Sequence, residues 1–263
     1  MNKIYKEFYQ KKLFTLSEAT KIIKDNQICR NNINRLYKQG LIKRLKAGMY
    51  YINPLDNQEF YPNPICIAAK LRPEAIISAN TALKAHGLTS TNDYTIYVSA
   101  KHPAKVRIDK YTYRVLKGYN FGIETIKYET GYGTQDIKIT DIERTIIDCL
   151  RTRSIKGTEL IQIISEKKPE INMRRIINYL ERYEMPILYS KTGLILEACK
   201  AQAKIGESEL EKIRRKLTKK IYYFKERGIR LTRPRYHYNK EWNIMIPETL
   251  NEVVKAMKPT PIN

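Results

Sequence analysis

Three histidines and four cysteines in 263 residues leave little material for a metal centre or a histidine-based catalytic site. Cys29, Cys66, Cys149 and Cys199 stand singly, with no C-x-x-C pair and no histidine at metal-ligand spacing. Each reads as a small buried apolar residue. His86, His102 and His237 lie far apart in the chain. No apolar run approaches the roughly 18 residues of a membrane span. The opening MNKIYKEFYQKK carries lysines where a secretory signal would carry an uninterrupted apolar stretch and a cleavage site. The expectation is a cytoplasmic, non-enzymatic protein with no metal, no cofactor and no membrane partner. Its hydrophobic content of 42% and charged content of 29% are those of a globular protein, at a length that suits two domains.

What the chain has in excess is positive charge. A net +22 at pH 7 attracts polyanions at long range, and nucleic acid is the usual one inside a cell. A lysine-rich proteome can produce such a total without a basic function, so distribution decides more than the sum. Residues 1–54 hold 12 Lys+Arg against 3 Asp+Glu, residues 204–240 hold 13 against 4, and residues 55–203 hold 22 against 17. The excess therefore sits in two blocks around a more balanced stretch.

NPLDNQEFYPNP has three prolines and no sustained period, and reads as a linker that places a boundary near residue 60. PICIAAKL and ANTALKAHGL then read as short helices, with Gly87 available to stop the second. TIYVSA, KVRI, YTYRVL, ETIKYET and DIKIT have strand-like content between Gly, Pro or Asp. From Thr140 the character is helical to about residue 217. The tail returns to strands (KKIYYFK, IRLTRPRYHY, WNIMI) before PETLNEVVKAM, a helix for which Pro247 suits the first position. The expected fold is α+β: a winged helix-turn-helix over 1–54, a linker at 55–63, and a larger mixed α/β domain over 64–263 with segregated sheet and helices.

The winged helix is read from FTLSEATKIIKD and ICRNNINRLYKQGLIKRLKAGMYYIN. Thr15 and Glu18 have capping-box spacing, so a helix begins at Leu16. Leu16, Ala19, Ile22 and Ile23 form its buried stripe. After a turn at Asp25 to Gln27 a second helix runs to Gln39 and stops at Gly40. At 100° per residue Cys29, Ile33, Leu36 and Tyr37 cluster toward the first helix, while Asn31, Asn34, Arg35 and Lys38 point the opposite way, with Arg30 at their flank. Asparagine is roughly 0.6 kcal/mol worse than alanine in a helix interior, so two of them cost about 1 kcal/mol with no packing return. Amide and guanidinium groups can pair bidentately with base edges in the major groove, each good pair giving about 1 to 3 kcal/mol of discrimination. That exceeds the propensity cost, whereas a merely solvated face offers nothing against it. LIKRL and MYYI, separated by Lys46-Ala47-Gly48, read as a hairpin wing whose Lys43, Arg44 and Lys46 reach phosphate or minor groove.

Three segments together carry a resemblance: the winged helix with its R-L-K-A-G-M-Y wing, ISANTALKAHGL at 77–88, and ITDIERTIIDCL at 139–150. In content and order they resemble the AbiEi-type antitoxins of type IV toxin-antitoxin (abortive infection) systems. The resemblance implies an N-terminal domain that binds inverted repeats in the promoter of its own operon, on double-stranded DNA, and represses it. It implies a C-terminal domain that counteracts a nucleotidyltransferase-like toxin without a durable complex. Each segment also has a plain reading. Thr140 and Glu143 form another capping box, Arg144 and Asp148 pair along the helix, and Ile142, Ile146 and Leu150 supply a buried side, which describes scaffold. His86 ends a helix, where an imidazole bonding a carbonyl is favourable.

A second basic block, KIRRKLTKKIYYFKERGIRLTRPR, interleaves Lys212, Arg214, Arg215, Lys219, Lys220, Arg230, Arg233 and Arg235 with Tyr222, Tyr223 and Phe224. It reads equally as a second nucleic-acid or partner surface, extending the DNA footprint or engaging RNA, and as a core strand with solvated neighbours. Two further functions stand beside the antitoxin. One is a winged-helix transcription regulator with a ligand-sensing C-terminal domain and no toxin partner. The other is a metal-dependent nuclease, for which Asp109, Glu124 and the Asp136-x-Lys138 pair would supply the carboxylates and lysine.

Overall fold

The computed structural model describes residues 2–54, 59–91, 93–226 and 235–257. It is mixed α and β, and divides into two compact units, Met1–Ile77 with Asn92–Ile139, and Ser78–Thr91 with Thr140–Asn263. The sequence boundary expected near residue 60 falls inside the first unit.

The first unit begins with α1 (Lys3–Phe8), β1 (Leu13–Thr15), α2 (Leu16–Ile23), α3 (Asn26–Lys38), β2 (Ile42–Lys46) and β3 (Met49–Ile52). The strands order β1-β3-β2, both pairings antiparallel, and this is the expected winged helix-turn-helix. Its core is made by Ile4, Phe8, Phe14, Ala19, Cys29, Ile33, Leu36, Ile42 and Ile52, with Phe8 stacked on Phe14 at 4.5 Å between ring centroids. Burying a side chain of the Leu, Ile or Phe size contributes about 1.5 to 3 kcal/mol, which makes this cluster the main apolar contribution holding the helices on the small sheet. The capping box forms as expected, Thr15 Oγ1 accepting from Glu18 N and Glu18 Oε2 accepting from Thr15 N at 2.7 Å. The following turn is shorter than the sequence reading: Lys24 takes the left-handed conformation and Asp25 caps α3, accepting from Ile28 N at 2.7 Å, so the helix starts at Asn26. Gly40 and Gly48 have φ of +70° and +74°, the conformation each turn requires.

The same unit continues with α4 (Pro64–Ala69), β4 (Ile76–Ile77), β5 (Thr95–Ala100), β6 (Ala104–Ile108), β7 (Tyr111–Lys117), β8 (Ile123–Thr130) and β9 (Gly133–Thr140). All five strands read from the sequence are present, in the order β6-β7-β5-β4-β9-β8, with the short β4 completing the sheet. Of the expected linker, 59–63 is described and is packed. Phe60 and Tyr61 lie 6.1 Å from the Tyr51 ring, Phe60 lies 5.0 Å from Tyr132, and Tyr61 lies 6.4 Å from Tyr111. Aromatic contacts thus hold this proline-rich stretch against both sheets of its unit.

The second unit holds α5 (Ala79–Ala85), α6 (Ile142–Thr152), α7 (Gly157–Lys167), α8 (Met173–Tyr183), α9 (Pro186–Ala198), α10 (Glu207–Arg214) and α11 (Glu248–Ala256), with a small sheet of β10 (Tyr222–Tyr223), β11 (Tyr236–Asn239) and β12 (Ile244–Pro247) in the order β10-β12-β11. Helix α6 is capped by Asp141, whose Oδ1 accepts from Arg144 N at 2.9 Å, and not by Thr140. Thr140 Oγ1 bonds Thr145 Oγ1 instead, and Glu143 accepts from Asn172 N, so each half of the expected capping box is engaged elsewhere. Ile142 is only half buried, while Ile146 and Leu150 are buried as expected. Pro247 closes β12 and serves as the N-cap of α11, one position before the expected place.

All four cysteines are free and buried, and burial pushes the Cys66 and Cys199 thiols up to about 11, as suits inert packing groups. Among the described residues no helix is long and apolar enough to cross a membrane.

One buried cation has a measurable signature. Lys191 on α9 is 4% exposed, donates to the Leu150 carbonyl at 3.1 Å and lies 5.1 Å from the Phe224 ring. Burial lowers its pKa from 10.5 to about 8, Arg153 adding to the effect and Glu226 opposing it. Between these two values the unfolded chain binds more protons than the folded one, so stability rises with pH across that window, by about 3 kcal/mol in full. Urea denaturation at pH 7.5 and 9.5 should show wild type gaining stability and Lys191→Met losing that gain. Identical pH dependence in the two proteins would contradict this.

Candidate nucleic-acid interface

Helix α3 turns a narrow seam of Cys29, Ile33 and Leu36 inward, and this fixes what its other face presents. Arg30, Asn31, Asn34, Arg35 and Lys38 are all exposed. Asn31, Asn32 and Asn34 separate by role. Asn32 is half buried and its Oδ1 accepts from Asn2 Nδ2 at 3.0 Å and from Arg35 Nη2 at 3.3 Å, tying the α1 cap to α3 and steadying the Arg35 guanidinium. Asn31 and Asn34 stay on the outer face, with Asn31 Oδ1 accepting from Gln27 Nε2 at 3.3 Å.

Tyr37 departs from the sequence reading. It is 53% exposed and does not join the seam, because on the wheel it lies roughly 70° from the seam's axis and the inner face is only three residues wide. Ile28, 54% exposed, is a second apolar group on this surface that the sequence reading missed. Its position 60° from Asn31 on the wheel was the available signal.

The wing forms as a hairpin, with a bulge that regroups its cations. Lys43 pairs with Tyr51, Arg44 with Tyr50 and Lys46 with Met49, the register shifting between Arg44 and Lys46. Opposed residues share a face, so Lys43 and Lys46 lie on one side of the ribbon and Arg44 on the other with Ile42 and Ile52. Lys43 and Arg44 are exposed and Lys46 is half buried. The three wing cations therefore do not act as one row. Lys46 instead lines a cleft of about 650 Å³ with Leu16, Lys70, Arg72, Asp136 and Lys138. Within that cleft Lys70 pairs with Glu18. Burial pushes the Glu18 carboxyl up, but the hydrogen bond and charge of Lys70 and the bonds from Thr15 outweigh it and hold it below the usual carboxylate range.

The second basic block is divided. Arg214 is mostly enclosed: it reaches Glu197 at 2.6 Å, Glu207 at 2.5 Å and Glu241 at 2.7 Å, and lies 5.0 Å from the Trp242 ring. It is a structural centre and not an outward contact. Lys212, Arg215, Lys219, Lys220 and Arg235 are exposed, Arg215 standing 3.5 Å from Glu211 and Arg235 3.9 Å from Glu248. Arg230 and Arg233 lie outside the described residues. Of the aromatics, Phe224 is buried and Tyr222 half buried, while Tyr223 is exposed.

The nuclease arrangement is not assembled. Asp109 lies between β6 and β7 at one edge of the sheet, and Asp136 and Glu124 lie on β9 and β8 at the other. Among the described residues the one group of three carboxylates near enough to share a metal is Glu197, Glu207 and Glu241, and the Arg214 guanidinium already stands among them, within 2.7 Å of each. His86 Nε2 sits 2.8 Å from the Thr140 carbonyl oxygen, a structural bond to a neighbouring segment. No protein-family model and no curated protein matches the chain.

Proposed function

We propose that this chain binds double-stranded DNA through α3 and represses the promoter of its own operon as an antitoxin of the AbiEi type. The observation that carries the DNA reading is the outward set Arg30, Asn31, Asn34, Arg35 and Lys38 on a helix otherwise fixed by its buried seam. Laid in the major groove, Asn31 and Asn34 are suited to adenine edges, Arg35 to guanine, and Ile28 to a thymine methyl group. Arg44 and Lys43, on opposite faces of the wing, would bracket a phosphate strand and not line up along it. The antitoxin part rests on the ordered resemblance of the winged helix, residues 77–88 and residues 139–150. It entails a nucleotidyltransferase-like toxin as the functional partner, opposed without a stable complex.

Co-expression with a flanking nucleotidyltransferase gene should restore growth, and a reporter behind the shared promoter should be repressed by the intact chain. Rescue without repression would remove the DNA reading, and repression without rescue would remove the antitoxin. Lys43→Ala and Arg44→Ala should weaken binding to every duplex and lower the salt slope by about 0.9 for each phosphate that is no longer neutralised. An unchanged slope would take the wing out of the interface.

A ligand-sensing regulator without a toxin is the second reading. The 650 Å³ cleft is within the size range of small-molecule sites and speaks for a ligand, although its walls come from the winged helix as well as from residues 69–75 and 135–138 and not from the C-terminal domain alone. A promoter response to a metabolite in cells lacking any neighbouring toxin would support it.

A further inference from the structure

The small sheet of the second unit buries one face and leaves the other open. Ile244 and Ile246 are fully buried on the inner face. On the outer face, register places Tyr223 beside Met245 and Met245 beside Tyr238, one row across all three strands. Residues opposite one another on adjacent strands project to the same side, as do residues two apart on one strand, which adds Tyr236. Tyr223 and Tyr238 are 48% and 50% exposed. The Tyr223 and Tyr236 rings meet edge to face at 5.2 Å, and the Tyr238 hydroxyl donates to Asn243 Oδ1 at 2.9 Å. These contacts hold the rings in place while leaving π surface in solvent.

Next to these strands in sequence are Lys219, Lys220, Lys225, Arg235 and Lys240, all exposed, with Lys220 Nζ 5.6 Å from the Tyr222 ring at the sheet edge and Arg235 3.9 Å from Glu248. The carboxylates nearby are engaged: Glu226 accepts from Gly157 N at 2.7 Å, Glu241 pairs with Arg214, and Glu248 stands near Arg235 and His237. An open aromatic row with a cationic margin matches a strand whose bases are unstacked and whose backbone is anionic. Base-on-aromatic stacking tolerates any sequence, and lysines follow the phosphates. A duplex hides its base faces and cannot use such a row. An acidic protein surface would use the lysines and leave the rings idle.

We infer that the Tyr223–Met245–Tyr238 face binds single-stranded nucleic acid by stacking bases on Tyr223 and Tyr238, with the flanking lysines on the phosphates. This surface is distinct from α3, so each can fail without the other.

The test is fluorescence anisotropy of the full chain with labelled oligo(U) and oligo(dT) at low salt. Tyr223→Ala and Tyr238→Ala should each lower affinity roughly tenfold, Tyr→Phe at either position should retain it, and Lys219→Ala with Lys220→Ala should flatten the salt dependence. Circular dichroism should match wild type, since both rings are on the surface. Asn34→Ala with Arg35→Ala should leave oligonucleotide affinity unchanged. Tighter binding of oligo(U) would assign the site to RNA through the 2′-hydroxyl, and equal binding to single strands in general. Absence of saturable binding to both, or wild-type affinity in both alanine variants, would overturn the proposal. So would loss of self-association in the tyrosine variants without any oligonucleotide effect, which would make the face a protein interface.

Discussion

Gly193→Ala should destabilise the second unit by about 3 kcal/mol or more, a large fraction of a domain's total stability. An added methyl at this position in α9 would lie 1.9, 2.2 and 2.4 Å from carbons of the Trp242 ring. Alanine is about 1 kcal/mol better than glycine within a helix, so propensity alone would predict a gain. Contact decides the sign, because the ring has nowhere to move. Trp242 is fully buried, its Nε1 donates to Glu197 Oε2 at 2.6 Å, and Arg214 covers it. Displacing it would also disturb the arginine and its carboxylates. Urea denaturation measures the loss, and a double-mutant cycle with Trp242→Leu tests the cause, since the smaller side chain should recover part of it. A change below about 1 kcal/mol in Gly193→Ala would show that the helix and ring can separate at little cost.

Removing the carboxylate of Asp148 should have a comparable effect. Its Oδ1 accepts from Arg151 Nε and from the Tyr183 hydroxyl, each at 2.9 Å, and its Oδ2 lies 3.4 Å from Arg144 Nε. Arg144 and Asp148 have no solvent exposure. Asp148→Ala would leave the Arg144 guanidinium buried without this counter-ion, a loss of about 3 to 5 kcal/mol, and Asp148→Asn a smaller one. The folded fraction should bind duplex DNA as wild type does, because Asp148 and α3 belong to different units. A stable Asp148→Ala protein lacking antitoxin activity would instead make this aspartate functional and overturn its reading as scaffold.

Local signals were legible where they are self-contained. The Thr15–Glu18 capping box, the glycines at 40 and 48 and the strand-like runs between turn residues at 95–140 each depend on a few neighbours in sequence, and each formed as read. Adjacent rivals were harder: Thr140 and Asp141 can both cap a helix, and only the pairing of Thr140 with Thr145 separates them. Long-range partners were invisible. Arg214 looks like any other member of a basic run until Glu197 and Glu241, from α9 and the turn before β12, arrive beside it. Likewise Tyr222, Tyr223 and Phe224 gave one aromatic cluster in the sequence. The register with β12 sorted them, and brought in Tyr238 from a strand beyond. A one-residue bulge separated Lys46 from Arg44 for the same reason. The outward face of α3 was readable because a helix fixes direction from spacing alone.

That face is the centre of the account, and one titration addresses it directly. Competition binding at fixed salt should compare a duplex carrying the promoter's inverted repeats with a scrambled duplex, for wild type and for Asn34→Ala with Arg35→Ala. Wild type should prefer the repeats, and the variant should bind both duplexes alike, losing roughly tenfold or more of discrimination. A variant that keeps the full preference would contradict the assignment of α3 as the element that reads DNA.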